Sequence, residues 1–418
     1  MPEANPTPIG LPHVVFLERA ARELDSSPGK FGQAAFLVLR LVDLLAASHE
    51  PGPQDDLFGY QAAATGRYCN EQLEPGKAAE CLQQLVRTAS YAHRRREPGF
   101  IAPAMLSLAT HLEDSAHYPE ALDVLATLER VAASGIAPAD AVAGALLSGR
   151  VQRKLTRFEE AEAAYERADA LATAAGDATS VLLSRLGRAN VYWGRGNLTD
   201  AERRYRDVLR DAQAAGLRDV QARAEHGVGT VLGSRGQVPD AVPYLWSAYE
   251  RYEDEASALR ALHDLGLAMA RLGAVDGAER ALRVVVAKDV SPDNVLNAKI
   301  EMMHCASFRR DRIGFERWRS ECGRDADKMA PNNLADYHLK VGIGLARFGQ
   351  VDRAAVELRH ALEVAQAHRL HEFEFRIERI LSGIYDCTTA SPTAEPPETP
   401  AWATSISEVS TALAGIAG

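Results

Sequence analysis

The chain is 418 residues long with a formal net charge of −10, and 46% of its residues are hydrophobic while only 6% are aromatic. An acidic balance of this size argues against a general affinity for nucleic acid or an anionic membrane surface, and no stretch reaches the roughly 18 apolar residues of a membrane span. Abundant alanine with few aromatics suits helices packed through small side chains, and no strand-like alternation stands out.

In chain order, residues 1–10 read as a disordered lead without the charged segment and apolar run of a leader peptide, so the cytoplasm is the default compartment. Leu11–Glu23 and Gly32–Ala47 form a first amphipathic pair, the second helix carrying Leu37, Leu41, Leu44 and Leu45 at helical spacing, with SSPGK as the turn between them. HEPGPQDD breaks the pattern. A second weak unit follows, packed through Gly66, Ala78, Leu82 and Leu85, and both units are degenerate in the way a capping end is. Arg94, Arg95 and Arg96 make the only dense basic run, placed in a solvated loop between repeats.

From about Pro103 to Val286 one phrase recurs. Ala121, Ala161, Ala201 and Ala241 stand 40 residues apart, Ala278 comes 37 later, and a gap of 76 before Ala354 leaves room for one more copy. The clearest instance is Ala222–Tyr249, where Gly229 lets a partner helix approach, Gly236 ends the first helix, and Ala241, Leu245 and Ala248 stripe the second. Between 291 and 329 the small residues give way to Ile313, Phe315 and Trp318, whose bulk should change the helix spacing. The phrase returns over Tyr337–Ala367, and Phe373, Ile377, Ile380, Leu381 and Ile384 make a final helix that closes the array. Thr388–Pro400 contains four prolines and reads as an extended, mobile linker. Beyond it Trp402, Ile406, Val409, Leu413 and Ile416 mark one short amphipathic helix, which would cap the last repeats, enter the groove or engage a partner.

The succession Gly229, Gly236, Ala241, Leu245, Ala248 resembles the tetratricopeptide repeat, whose usual period is about 34 residues. The longer period here is similar to the long-helix arrays of bacterial regulators, with extra turns closed by Gly135, Gly176 and Gly216. The resemblance implies an all-α, right-handed superhelical solenoid of antiparallel helix pairs over residues 11–387.

Motifs for catalysis are missing. There is no Walker phosphate loop, GxSxG, HExxH or strand-borne GxGxxG, and HEFEF at His371 lacks the second histidine of a zinc site, so neither an enzyme nor a cofactor is expected. Cys69, Cys81, Cys305, Cys322 and Cys387 form no CxxC pair and read as reduced thiols; no metal is expected, although His304 adjoins Cys305. No basic recognition helix for DNA is apparent.

In the family that the chain resembles, the first helix of each repeat lines the concave face. Mapping its groove positions gives Arg150, Arg153, Asn190, Trp193, Arg223, His226, Thr230, Arg260, His263 and, with the register lost, Phe308. Guanidinium forks suit carboxylates, asparagine holds a peptide backbone, and Trp193 adds an apolar contact. Each arginine taken singly reads sooner as an ordinary surface residue or a partner for acidic side chains on the next helix than as a groove contact. His226 and His263 occupy equivalent places in adjacent repeats, through repeat inheritance or as a paired sensor. The function expected is a non-catalytic scaffold or adaptor that holds a partner protein or an extended acidic peptide, without nucleic acid or membrane. The alternative is a ligand- or peptide-sensing regulatory solenoid controlling an effector protein in trans.

Overall fold

A computed structural model describes residues 11–22, 26–47, 54–132, 135–289, 291–324, 326–383 and 403–416. The expected lead at 1–10, the linker at 388–400, Ile384, Cys387 and Trp402 lie outside the described residues. Among the described residues every long element is an α-helix, with no strand. No helix there is long and apolar enough to cross a membrane. The chain divides into two compact units, residues 1–204 and 205–418.

The first unit contains α1 (Val14–Arg22), α2 (Ser27–Ala47), α3 (Gln54–Gln72), α4 (Lys77–Arg95), α5 (Ala102–Asp114), α6 (Tyr118–Ala132), α7 (Pro138–Lys154), α8 (Phe158–Ala175) and α9 (Ala178–Gly194). The boundary falls inside α10 (Leu198–Ala215). Apolar residues surround α2, which packs on α1, α3, α4 and α6 and buries Val38, Leu39, Leu41, Val42 and Leu45. That helix starts earlier than the sequence suggests. Ser27, Pro28, Gly29 and Lys30, read as a turn, form its first turn, because the Ser26 hydroxyl accepts from the Gly29 amide at 3.2 Å and proline suits the first helical turn. At the start of α4 Ala79 is buried, while Ala78 is only partly covered. Arg94 and Arg95 belong to the last turn of α4 rather than to a loop, and Arg96 is its left-handed cap. Cations are favourable at that end of a helix.

The second unit holds α11 (Arg218–Ser234), α12 (Val238–Arg251), α13 (Glu255–Arg271), α14 (Val275–Lys288), α15 (Pro292–Phe308), α16 (Arg312–Gly323), α17 (Pro331–Arg347), α18 (Val351–Ala367), α19 (His371–Gly383) and α20 (Ala403–Ile416). Helices α11 to α18 pack as four consecutive pairs, and each first helix also touches the first helix of the next pair, from α11 through α13, α15 and α17 to α19. Glycine sets the approach within a pair: a Cβ on Gly229 would stand 2.8 Å from Leu245, which is 3% exposed. Burying such a leucine stabilises the pair by about 1.5–3 kcal/mol. Gly236 turns the chain between α11 and α12 at φ +79°. The 37-residue step has a simple cause, since α12 has 14 residues where α10 has 18.

The missing copy is the α15–α16 pair. Phe315 is fully buried there, and its ring occupies the space a side chain on Gly344 would need, since a Cβ on Gly344 would fall 2.2 Å from Phe315 Cε2. The bulk is therefore taken up by a glycine on the next first helix, where the sequence suggested a change of spacing. Ile313 points to solvent and Trp318 is half-buried. Cys69, Cys81, Cys305 and Cys322 are buried free thiols; burial pushes Cys69 up to about 11 and Cys305 and Cys322 up to about 12.

Candidate functional site

The row of first helices in the second unit encloses a cavity of about 740 Å³ lined from α13, α15, α17 and α19. Each helix offers one stripe. Asn297, Glu301, His304 and Phe308 lie one or two turns apart on α15, and Asn333, Asp336 and Lys340 do the same on α17. From α19 come Phe373 and Arg376, and from α13 His263, Leu267 and Arg271.

Lys340 is the centre of this wall. It is 5% exposed, and its ammonium donates to Glu301 on α15 and to Asp336 one turn earlier on its own helix. Burial opposes the charge, but the two carboxylates overcome that and hold the Lys340 ammonium above its usual range. His304 has the opposite fate. Burial and the cations Arg347, Lys340 and Arg376 push it down to about 2, so its imidazole is neutral, and its Nδ1 is buried without a partner. His263 likewise buries Nε2 unpaired. The Arg347 guanidinium sits 3.5 Å from the Phe308 ring centre and donates to Ser307; burial first, then Arg310, lowers it to about 10. Among the described residues the carboxamides of Asn297, Asn332 and Asn333 make no hydrogen bond, and Arg376 makes no ion pair.

Of the residues singled out from the sequence, His263 and Phe308 line this cavity. Within the second unit Arg223 is held by Asp219 at 2.7 Å and lies near Asp254, His226 bonds Asp264 at 2.9 Å and the Tyr252 hydroxyl, Thr230 donates to the His226 carbonyl, and Arg260 donates to Ser257. The Asp264 carboxyl is driven far down by its bonds to His226 and His263 against the effect of burial. Within the first unit Arg150 forks onto Glu113 at 2.7 and 2.6 Å, Arg153 and Asn190 are half-buried, and Trp193 is 36% exposed. Arg150 is thus engaged with a neighbouring helix, and Arg223 and Arg260 chiefly with residues of their own helices. Asn297, Glu301, His304, Asn332, Asn333, Asp336, Lys340, Phe373 and Arg376 were not marked by the repeat pattern; for the three on α15 the reason is that this helix lacks the small residue that sets the register. The polar stripe at positions 297, 301 and 304, one turn apart, was the available signal.

The tail helix α20 docks in cis, on α12 and α14. Ile406, Val409 and Leu413 are buried there, and Arg280 donates to the Ser410 carbonyl at 2.9 Å. These are second helices, whereas first helices line the cavity. Of the three places considered for the tail, the cap on the last repeats is not the one it takes: α19 itself packs on α17 and α18, burying Ile377 fully, while the tail's stripe finds its match where Gly277 leaves room for Ser410.

No family model matches the sequence, and no curated protein matches it. Solved structures do share the fold. The apo form of the quorum sensor NprR from B. thuringiensis is 11% identical, covers 87% of this chain and 100% of its own, and superposes with a TM-score of 0.55. Aspartyl phosphate phosphatase F from Bacillus subtilis is 12% identical, with 82% and 94% covered and a TM-score of 0.50. With the glycine-spaced helix pairs, these likenesses establish a tetratricopeptide-repeat fold.

Proposed function

We propose that the protein is a non-catalytic binding array whose second unit holds an extended peptide segment, free or part of a partner protein, in the cavity lined by α13, α15, α17 and α19. The observation that carries this reading is the set of three unpartnered carboxamides, Asn297, Asn332 and Asn333, on adjoining first helices. A carboxamide offers a donor and an acceptor together, which is what an extended backbone requires of a groove. Phe308 and Phe373 supply apolar contacts at either side. Arg376, unpaired among the described residues, is the natural partner for a carboxylate on the ligand. Lys340 is already satisfied by Glu301 and Asp336, so it orders the wall and leaves Arg376 to read charge. The quorum-sensing protein of similar fold makes sensing in trans the use to examine once a ligand is in hand.

The test is selection from a displayed random-peptide library on the full chain, followed by anisotropy titration of the selected peptides. Replacing Asn297 and Asn333 together by alanine should weaken binding by about tenfold or more, at roughly 1 kcal/mol per lost hydrogen bond, and Arg376→Glu should remove the preference for acidic sequences. Selected peptides that bind both variants as well as the parent would refute the groove assignment.

A further inference from the structure

We propose that His338, Glu357 and His360 form a binding site for a divalent transition metal of the zinc class, joining α17 to α18. Their candidate donor atoms all lie within 4.8 Å of one another. His338 Nδ1 is 2.8 Å from Glu357 Oε2, and the His338 and His360 rings meet edge to face with centroids 5.7 Å apart. Glu357 and His360 stand three apart on α18, which puts both side chains on one face of the helix, turned toward His338 on its antiparallel partner.

A bare imidazole–carboxylate hydrogen bond accounts for His338 and Glu357 but leaves His360 unexplained. Among the described residues His360 makes no hydrogen bond and no ion pair, and its ring nitrogens are available. The nearest competing cation is Arg319, whose guanidinium is 3.8 Å from the other Glu357 oxygen and closer, at 3.1 Å, to Glu316. Two imidazoles with one carboxylate select zinc and its neighbours over calcium or magnesium, which prefer all-oxygen shells. Metal bonds of about 2.0–2.2 Å require the three donors to draw in by about an ångström, a movement open to His360 because its side chain is exposed. His338 and Glu357 are each about one-fifth exposed, so water completes the shell. The backbone beneath is fixed, since α17 and α18 close on each other through Gly342 against Leu358. His338 lies two residues from both Asp336 and Lys340 and thus about 200° around the helix from the cavity stripe. The site is independent of the groove, though a bound metal would pin one of the groove's walls.

The experiment uses the full chain after treatment with a chelator. Zinc is titrated in competition with a chromogenic chelator, and cobalt is added separately to read coordination from its visible absorption. One equivalent of zinc should bind. His338→Gln and His360→Gln should each lower the affinity by about tenfold or more, and zinc should raise the melting temperature of the parent but not of the His360→Gln chain. Because His360 is exposed, that variant keeps its far-ultraviolet dichroism. His371→Gln, which removes an exposed histidine whose partner among the described residues is Glu374, should bind as the parent does. Absence of stoichiometric binding at micromolar free zinc, or parental affinity in His360→Gln, overturns the site.

Discussion

Replacing Lys340 by methionine isolates the electrostatics of the cavity wall. The substitution nearly conserves volume and removes the one cation that compensates two carboxylates, Glu301 with a side chain 10% exposed and Asp336 with one 20% exposed. Taking one partner out of a buried ionic cluster costs about 3–5 kcal/mol. The lower end applies here, because Asp336 can turn toward water. The lysine's raised pKa has a definite sign in the parent: its stabilisation is fully present below the unfolded lysine value of about 10.4 and is lost only as pH rises through the still higher folded value. Between acid and neutral pH the parent therefore sees no lysine titration. In the variant the stranded carboxyls should protonate readily, so the deficit against the parent should shrink toward about pH 4, near the unfolded carboxyl range. Hydrogen exchange is the appropriate assay, because the members of a repeat array contact mainly their neighbours and open locally. Amides of α15 and α17 should lose protection at neutral pH while those of α5 and α7 stay unchanged. A loss below about 1 kcal/mol, or an equal loss at both pH values, would refute the reasoning that Lys340 is structurally committed.

The first unit supplies two further tests. Thr156, at the turn after α7, holds φ +59° where Gly196, Gly236, Gly273 and Gly349 serve other repeats; Thr156→Gly should relieve about 1–2 kcal/mol of left-handed strain against about 0.5–1 kcal/mol of lost chain entropy, and unfolding at a lower urea concentration than the parent would contradict this. His13, enclosed by Asp43 and Asp123, is raised to about 8 because hydrogen bonds to Asp123 and Asp43 outweigh burial. Its contribution, on the order of 2 kcal/mol, should be fully present below the unfolded value of about 6.5 and fade as pH rises through about 8. A flat stability profile over that window in the parent, identical to that of His13→Gln, would sink the assignment.

The fold was legible because its cause is local and repeated. Gly229, Ala241 and Leu245 fix one helix pair, and the same spacing, written again at Gly266 with Leu282 and at Gly342 with Leu358, fixes the others. A reader needs only adjacent turns of chain to see it. Where the device is shared between pairs it disappears from the sequence: Phe315 looks like a failed small residue until Gly344, on the next first helix, is seen to receive it. The start of α2 was hidden for a different reason, since proline and glycine in SSPGK signal a turn equally well as they signal a first helical turn capped by Ser26.

The same distinction separates the groove residues that were found from those that were missed. Positions could be projected onto the first helices from the repeat register, but a register says where a side chain points and not whether its charge is already spent. Arg150 and Arg223 stand where a ligand's carboxylate would need them, yet Glu113 reaches one across 37 residues and Asp254 lies near the other across 31. Such partners sit on the neighbouring helix pair, outside any single repeat. Of the unspent groups, Asn297 belongs to the stretch where the register was lost, and Asn332 and Asn333 to the first turn of the helix that follows it. Asn297, Asn332 and Asn333 carry no charge to attract notice; α15 has no glycine signature to place Asn297, and Asn332 and Asn333 open α17 more than two turns before its Gly342. The open carboxamides therefore sit where the degenerate α15–α16 pair adjoins α17, while earlier repeats hold Arg150 and Arg223 on carboxylates.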